Sequence, residues 1–445
     1  MDINQIDREL LGILWTSSDL WDNLAYLCDE CNGRFAGSDD ERKAGAFIAG
    51  RFRQYGLENI AAETFGMRGW ERGEAQLTIL AGGREIHMPC LALPGTPGCA
   101  LEADVIDVKQ GTAADFAALG DKVAGKVVLA SADGPSRQEK YASAFSAGAA
   151  GFIFGGLQPG MLPPIGGAEK DLPAIGLAHE HTARIRRMLA AGPVRARLQL
   201  SARVMAVTAR NIVAELPGTD PSQGWIVAGG HYDGHDIAQG AQDNGAGTAI
   251  LMEAARLLAP YRAQLKMGIR FVLFSGEELG LNGSYAYAQQ HAAEMDQVRL
   301  MFNADVVAIG MPLVLSTQAS PELAGYLRTL PLKELDAIVN DGPGNLASNS
   351  DHFPFVLAGV PSVWAVTSAA PAPGPGWIHT SADTLDKVDL RILRQTAGAA
   401  ARVLLRMASD PDSLPRGHRP ASEVQKVVTD AGFEKSLRAN GRWPF

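Results

Sequence analysis

Cysteine is scarce, basic residues are outnumbered and no apolar run is long; each shortage removes a class of protein before any motif is read. Four cysteines in 445 residues are too few for a disulfide scaffold. Cys28 and Cys31 have the spacing of half a zinc knuckle or a redox pair, but Trp21, Leu24, Cys28 and Cys31 also recur three or four residues apart on one helical face. Buried core thiols are the expectation, because free cysteine behaves as a small hydrophobe. Forty basic against 49 acidic residues leave a formal net charge of -9. The signs are interspersed, which leaves no basic stripe for nucleic acid and no polybasic membrane anchor. No segment reaches the roughly 20 apolar residues that cross a bilayer. The start, Met1-Asp-Ile-Asn, lacks the basic-then-apolar pattern of a secretory signal. A cytoplasmic protein is expected, or a secreted one had a signal been removed.

What is present is an ordinary globular composition, 46% hydrophobic and 20% charged, in a chain longer than one core usually takes. Residues 1–65 read as helix, helix, strand, with Ser38-Asp-Asp-Glu41 as a capping box and Gly56 closing the second helix. Residues 66–205 change to short strands between Gly, Pro and Asp turns. Residues 206–410 alternate strands with helices, and residues 411–445 form a tail with one helix around Ser422 to Leu437. That helix would serve as a cover over the core or as an oligomer contact, for example in a homodimer. The alternation predicts an α/β fold: a mixed, mainly parallel sheet with helices on both faces, plus a small β-rich inserted domain. In such sheets ligands gather beyond the carboxyl ends of the strands.

The residues that carry chemistry fall at those ends. His231-Tyr-Asp233, Asp243-Asn244, Glu277-Glu278, Asp305 and His379 each follow a strand or occupy a turn. Alone, an HxD triplet reads as a surface turn and a Glu-Glu pair as a solvated one; the joint pattern reads as a site. Zinc takes imidazole nitrogen and carboxylate oxygen. Two zinc ions roughly 3.5 to 4 Å apart need one bridging carboxylate and two further ligands each. Asp233, two residues after His231, shares its side of an extended chain and could orient it through the second ring nitrogen. Asp243, before two glycines at a helix start, is placed to bridge. Of the adjacent Glu277 and Glu278, one could bind metal while the other serves as general base.

The segments GGHYDGH, AQDNGAG, FSGEELGLNGS, FNADVVA, SDHFPFVLAGVPS and HTSADTLDKVD resemble the co-catalytic dinuclear zinc exopeptidases of the bacterial leucyl aminopeptidase and glutamate carboxypeptidase type. The opening RFAGSDDERKAGAFIAGRFRQYGL is similar to that family as well. The strands GKVVLA, GAAGFIF and PAIGL resemble a protease-associated domain inserted in such enzymes. The resemblance implies two divalent metal ions, Zn2+ first among them, one held by His231 and Asp305, the other by Glu278 and His379, with Asp243 bridging. It implies a cis peptide after Asp243, Asp233 orienting His231, and Glu277 as the base that takes a proton from the attacking water and returns it to the leaving amine.

The resemblance is incomplete at the oxyanion. Trp377 and Ile378 precede His379 where several relatives have a tyrosine nearby. His352 is one oxyanion or substrate donor in reach, against a structural hydrogen bond within its loop, and His235 reads as a supporting or surface residue rather than a ligand. His179 and His181 read as a helix-start surface cap. Peptide is the expected substrate. An arginine would hold a substrate carboxylate, and none lies in residues 345–380, which favours an aminopeptidase. Trp377, Phe353 and Phe355 could line an apolar pocket, the two phenylalanines equally the core, and Ala369 to Gly376 form a stiff apolar loop. A carboxypeptidase or dipeptidase would use the same metals. A glutaminyl cyclase with one zinc and an inactive receptor-like protein are the remaining alternatives.

Overall fold

The computed structural model describes residues 2–157, 159–168, 170–342, 344–367 and 377–445; the loop from Ala369 to Gly376 lies outside them. Two eight-stranded sheets are present. In the first, Glu58–Glu71 forms one edge, followed by Arg203–Leu216, Gly268–Phe274, Trp225–His231, Val298–Ala304, Ser362–Thr367, Leu313–Ser316 and Ala337–Asn340. The four strands from Gly268–Phe274 to Ser362–Thr367 run parallel. Arg203–Leu216 and Leu313–Ser316 flank them antiparallel.

Side chains alternate across these strands because successive Cβ atoms point to opposite faces. Ile226 and Ala228, with Ile269, Phe271 and Leu273, pack into one apolar layer. Val227, Val272 and Phe274 enter another on the opposite face. The helices Ala246–Leu258 and Leu390–Ser409 cover the first face, and Asn282–Gln290 contributes Tyr287 to the second. Coverage on both sides makes these strands nearly continuous apolar runs.

The second sheet orders Arg84–Met88, Ala75–Ala81, Val194–Leu200, Cys99–Asp107, Val127–Ser131, Gly151–Gly155, Ala174–Leu177 and Cys90–Ala92. Its run from Cys99–Asp107 to Ala174–Leu177 is parallel. Parallel neighbours need long crossovers, and the helix Arg137–Ser146 supplies one of them. The inserted unit is therefore β-rich, as expected, with helices packed on a partly parallel sheet. It is carried on a ribbon in which Glu58–Glu71 and Arg203–Leu216 pair antiparallel from Glu58 with Glu215 to Glu71 with Arg203. Positions 65/66 and 205/206 fall inside these two strands.

Three local expectations are refined. Ser38 caps the helix Asp39–Gln54 by accepting from Glu41 N. The Glu41 side chain does not close the box; it is buried and accepts from Tyr232 Oη at 2.7 Å and Arg210 N at 3.1 Å. The tail holds two helices, Ala421–Asp430 and Glu434–Ala439, interrupted at Gly432, whose φ of 82° is left-handed and ends a helix. They cover Leu281, Phe353 and Val356. Cys28 and Cys31 are buried, and burial pushes their thiols up to about 12 and about 11. No helix among the described residues is long and apolar enough to cross a membrane.

Candidate metal centre

Four parallel strands deliver their side chains to one rim of the first sheet. His231 ends Trp225–His231; Glu277 and Glu278 follow Gly268–Phe274; Asp305 follows Val298–Ala304; His379 lies in the connection after Ser362–Thr367. Asp243 comes from the turn that leads into the helix Ala246–Leu258, and the Asp243-Asn244 peptide is cis.

Asp243 spans the group. Its Oδ1 lies 3.2 Å from His231 Nε2 and its Oδ2 lies 3.1 Å from His379 Nε2. Asp305 Oδ1 is 3.3 Å from His231 Nε2, and Glu278 Oε2 is 3.4 Å from His379 Nε2. Zinc–ligand bonds of about 2.0–2.1 Å put tetrahedral neighbours about 3.3 Å apart, close to these separations. His235 Nδ1 is buried without a hydrogen-bond partner, while buried Asp305 Oδ1 and His235 Nε2 face His231 Nε2 and Glu278 Oε2, themselves candidate ligand atoms. Buried polar atoms are normally paired, so ligand atoms facing one another in this way fit a cation between them. Among the described residues two sets of side chains each bring their ligand atoms within 4.8 Å of one another: His235, Glu278 and His379, and His231, Glu277 and Asp305.

His235 is therefore part of the cluster rather than a surface residue. Its Nε2 is 2.8 Å from Glu278 Oε2, and its ring meets that of His379 edge-on at 5.1 Å. Asp233 orients His231 differently from expectation. His231 Nδ1 meets the backbone carbonyl of Asp233 at 3.1 Å, with the carboxylate at 3.7 Å. That carboxylate accepts instead from Glu277 N at 3.2 Å. His352 does not stand as an oxyanion donor. It is fully buried, its Nε2 is 3.1 Å from Ala347 O, and its ring stacks on Trp364. Burial lowers its pKa to about 3, which keeps it neutral. Phe353 and Phe355 are core residues, each in a different apolar cluster.

Supporting residues that the sequence reading missed complete the shell. Asp383 accepts from Gln242 N at 2.8 Å and Asp243 N at 3.0 Å, fixing the backbone that carries Asp243. Ser350 Oγ donates to Asp305 Oδ2 at 2.6 Å and accepts from Asn303 Nδ2 at 2.6 Å. Arg34, fully buried, donates to the carbonyls of Tyr232, Gln239 and Gly240 and so holds the loop between His231 and Asp243. Asp383 lies in HTSADTLDKVD and Arg34 in RFAGSDD, so motif membership was their signal. Gly33 lies against the backbone of His235, where a Cβ would overlap the carbonyl.

The charges are strongly coupled. Burial opposes the charged form of His231, but Glu277, Asp233, Asp243 and Asp305 outweigh it and raise its pKa. Burial would raise Asp243; the imidazoles of His231 and His379 overcome it and hold the carboxylate ionised. Glu277 is raised by burial, with Glu278, Asp305 and Asp351 adding like charge. A base in this setting is ionised only when cations offset its acidic neighbours.

Residues 211–404 match peptidase family M28, and residues 89–185 match the PA domain. The aminopeptidase YwaD of Bacillus subtilis (strain 168) is 26% identical over 415 residues, covering 89% of this chain and 85% of that protein. Carboxypeptidase Q of Xenopus laevis is 27% identical, covering 77% and 76%. Among solved structures, an aminopeptidase from Aneurinibacillus sp. strain AM-1 superposes with a TM-score of 0.71 at 25% identity, covering 93% of this chain and 98% of that one. The zinc aminopeptidase BSAP from Bacillus subtilis shares the fold, with a TM-score of 0.70 at 24% identity, covering 88% and 95%. The strand-end acids and histidines, the fold and these relatives agree: residues 211–404 match peptidase family M28, residues 89–185 match the PA domain inserted before them, and the protein is a metal-dependent exopeptidase.

Proposed function

We propose that the protein is a zinc aminopeptidase with a dinuclear centre, removing N-terminal residues from peptides. The observation that carries this is the Asp243 carboxylate, with one oxygen toward His231 and the other toward His379. His231 and Asp305 would hold one ion, and Glu278 and His379 the other, with His235 as an additional ligand of the second group. The ions, when bound, polarise the scissile carbonyl and lower the pKa of water. Glu277 takes the proton from that water and hands it to the leaving amine. Its backbone is anchored to Asp233, so the side chain starts from a fixed point. Asp383 and Ser350 hold Asp243 and Asp305 in place, and the burial of His231, Asp233 and Glu278 excludes bulk water behind the reacting face.

The test is metal analysis coupled to a panel of N-terminal amino-acid amides and p-nitroanilides, with and without chelator, beside N-blocked dipeptides. Cleavage of free-amine substrates by protein holding two zinc ions per chain is expected. Cleavage of N-blocked dipeptides alone favours a carboxypeptidase, and saturation at one ion sinks the dinuclear centre. The carboxypeptidase reading has one observation in its favour: the Arg137 guanidinium, from the inserted domain, lies beside His379.

A further inference from the structure

His231 ends a strand and Asp305 directly follows one, so sheet hydrogen bonds set their backbones. His235 lies in the loop between His231 and Asp243, outside any strand or helix, and its place has to be set by other contacts. Arg34 takes the carbonyls of Tyr232, Gln239 and Gly240, which fixes the two ends of that loop. The middle is held at Asp236, the residue next to His235. Arg72 Nε donates to Asp236 Oδ2 at 2.6 Å and Arg72 Nη2 donates to Asp236 Oδ1 at 2.6 Å. Exposed ion pairs fix little, but a bidentate arginine–carboxylate pair sets orientation as well as distance, and here the two side chains are only 15% and 26% exposed.

Arg72 is fixed in turn by the inserted domain. It directly follows the strand Glu58–Glu71, where the two-strand ribbon ends. Its Nη1 donates to Ala92 O, in the strand Cys90–Ala92 of the second sheet. Its guanidinium lies over the Trp70 ring at 4.7 Å, and Trp70 Nε1 donates to Thr96 O at 2.8 Å. Each of the three guanidinium nitrogens therefore has an acceptor, one from the inserted domain and two from Asp236. On the far side of this link His235 Nε2 lies 2.8 Å from Glu278 Oε2, with its ring against that of His379. Gly33 packs against the His235 carbonyl, where a Cβ would overlap it, so the backbone is confined by contact as well as tethered. A continuous path runs from the second sheet through Arg72, Asp236 and His235 to the candidate ligands.

We infer that Arg72 is a positioning residue for the metal centre: through Asp236 it sets His235 against Glu278 and His379, so that the inserted domain governs how tightly one ion of the pair is held and leaves the other to the sheet. The selectivity follows from the grouping. His235 shares its group with Glu278 and His379, whereas His231, Glu277 and Asp305 form the other, and Arg72 touches neither the second group nor the strands that carry it. Partners that orient a ligand without touching the metal change its affinity by about ten- to a hundredfold. The inference rests on the dinuclear zinc reading with His235 as a ligand, and it assigns to the inserted domain a part in loading that centre.

The test is graded chelator titration of the zinc-loaded full chain, followed by metal analysis, on wild type and variants. Arg72→Ala should weaken one ion about ten- to a hundredfold and leave the other as in the wild type. Arg72→Lys keeps the charge without the fork and should fall between the two. Asp236→Ala should reproduce Arg72→Ala, and the double variant should be no worse than either, because the same link is broken once. In a His235→Ala background, Arg72→Ala should release neither ion more easily than His235→Ala does alone. Should Arg72→Ala fail to fold, Arg72→Lys and Asp236→Asn make the same comparison at smaller amplitude. Parallel weakening of both ions, the mark of a residue that only stabilises the fold, overturns the inference, as does a further loss on the His235→Ala background. The ligand reading is checked in the same series. A His235→Ala variant that weakens neither ion overturns that reading and this inference together; one that frees an ion while Arg72→Ala frees none overturns the inference alone.

Discussion

Glu277 and Asp233 are joined directly: the backbone N–H of Glu277 donates to Asp233 Oδ1 at 3.2 Å, while the carbonyl of Asp233 meets His231 Nδ1 at 3.1 Å. One residue therefore steadies the proposed base through its side chain and a proposed ligand through its backbone. The division predicts an asymmetric mutational result. Asp233→Asn keeps an acceptor oxygen for Glu277 N and should retain most activity relative to Asp233→Ala, which should lose about ten- to a hundredfold, the range for groups that orient metal ligands. Both should keep the carbonyl contact to His231. Steady-state kinetics beside metal content check this; equal loss in the two variants counts against it.

Glu277→Gln should lower kcat by about 10²–10⁴, the usual contribution of a positioned base, with two zinc ions retained. Metal analysis of the purified variant separates the two effects. Activity that survives the substitution would sink the proton-transfer role.

His235→Ala should weaken one ion and spare the other. His235 groups with Glu278 and His379, whereas His231 groups with Glu277 and Asp305. Graded chelator titration followed by metal analysis should show one ion released at lower chelator concentration than in the wild type. Parallel weakening of both ions, or of neither, removes His235 from the ligand set.

Chelation should make stability depend on pH in a definite direction. Burial, with the Asp243 charge adding, pushes Asp383 up to about 6. Burial, with Asp233 and Asp305 adding, pushes Asp351 up to about 7. Ordinary aspartate titrates near about 3.9. The folded metal-free protein thus binds protons that the unfolded chain releases, so this stabilisation is full below about pH 4 and lost as pH rises through 6 to 7. In EDTA the Tm should fall between pH 5 and pH 7.5, and added zinc should recover more at pH 7.5, where its ligands are deprotonated. Asp351→Asn should flatten the slope in EDTA. A Tm in EDTA that rises over this range would contradict the sign.

The mainly parallel sheet was legible because its strands are short apolar runs separated by helical periodicity, a signal carried by neighbours in the chain. The acids and histidines at the strand ends were legible for the same reason: each follows its strand within a few residues, and strand ends share a rim. The burial of His235 beside Glu278 and His379 was not legible, because its spacing from His231 says nothing of which way the loop turns. That turn is held by Arg34, which donates to Tyr232 O, Gln239 O and Gly240 O across some two hundred residues of sequence. For His352 the two readings open in the sequence were a donor to the reaction and a structural hydrogen bond within its loop, and the contact to Ala347 O at 3.1 Å is the second. The residue's place in a conspicuous motif suggested chemistry, and its burial against Trp364 makes it scaffold.

By itself the sequence determined the candidate metal-binding side chains and the strands that present them, because ligand type and local periodicity are properties of adjacent residues. Tertiary structure alone decided that Asp243 faces two histidines, that Asp383 and Ser350 brace the centre, and that Arg137 meets His379 across 242 positions. Those are relations between segments that the chain keeps far apart, set by how the inserted domain sits on its two-strand ribbon.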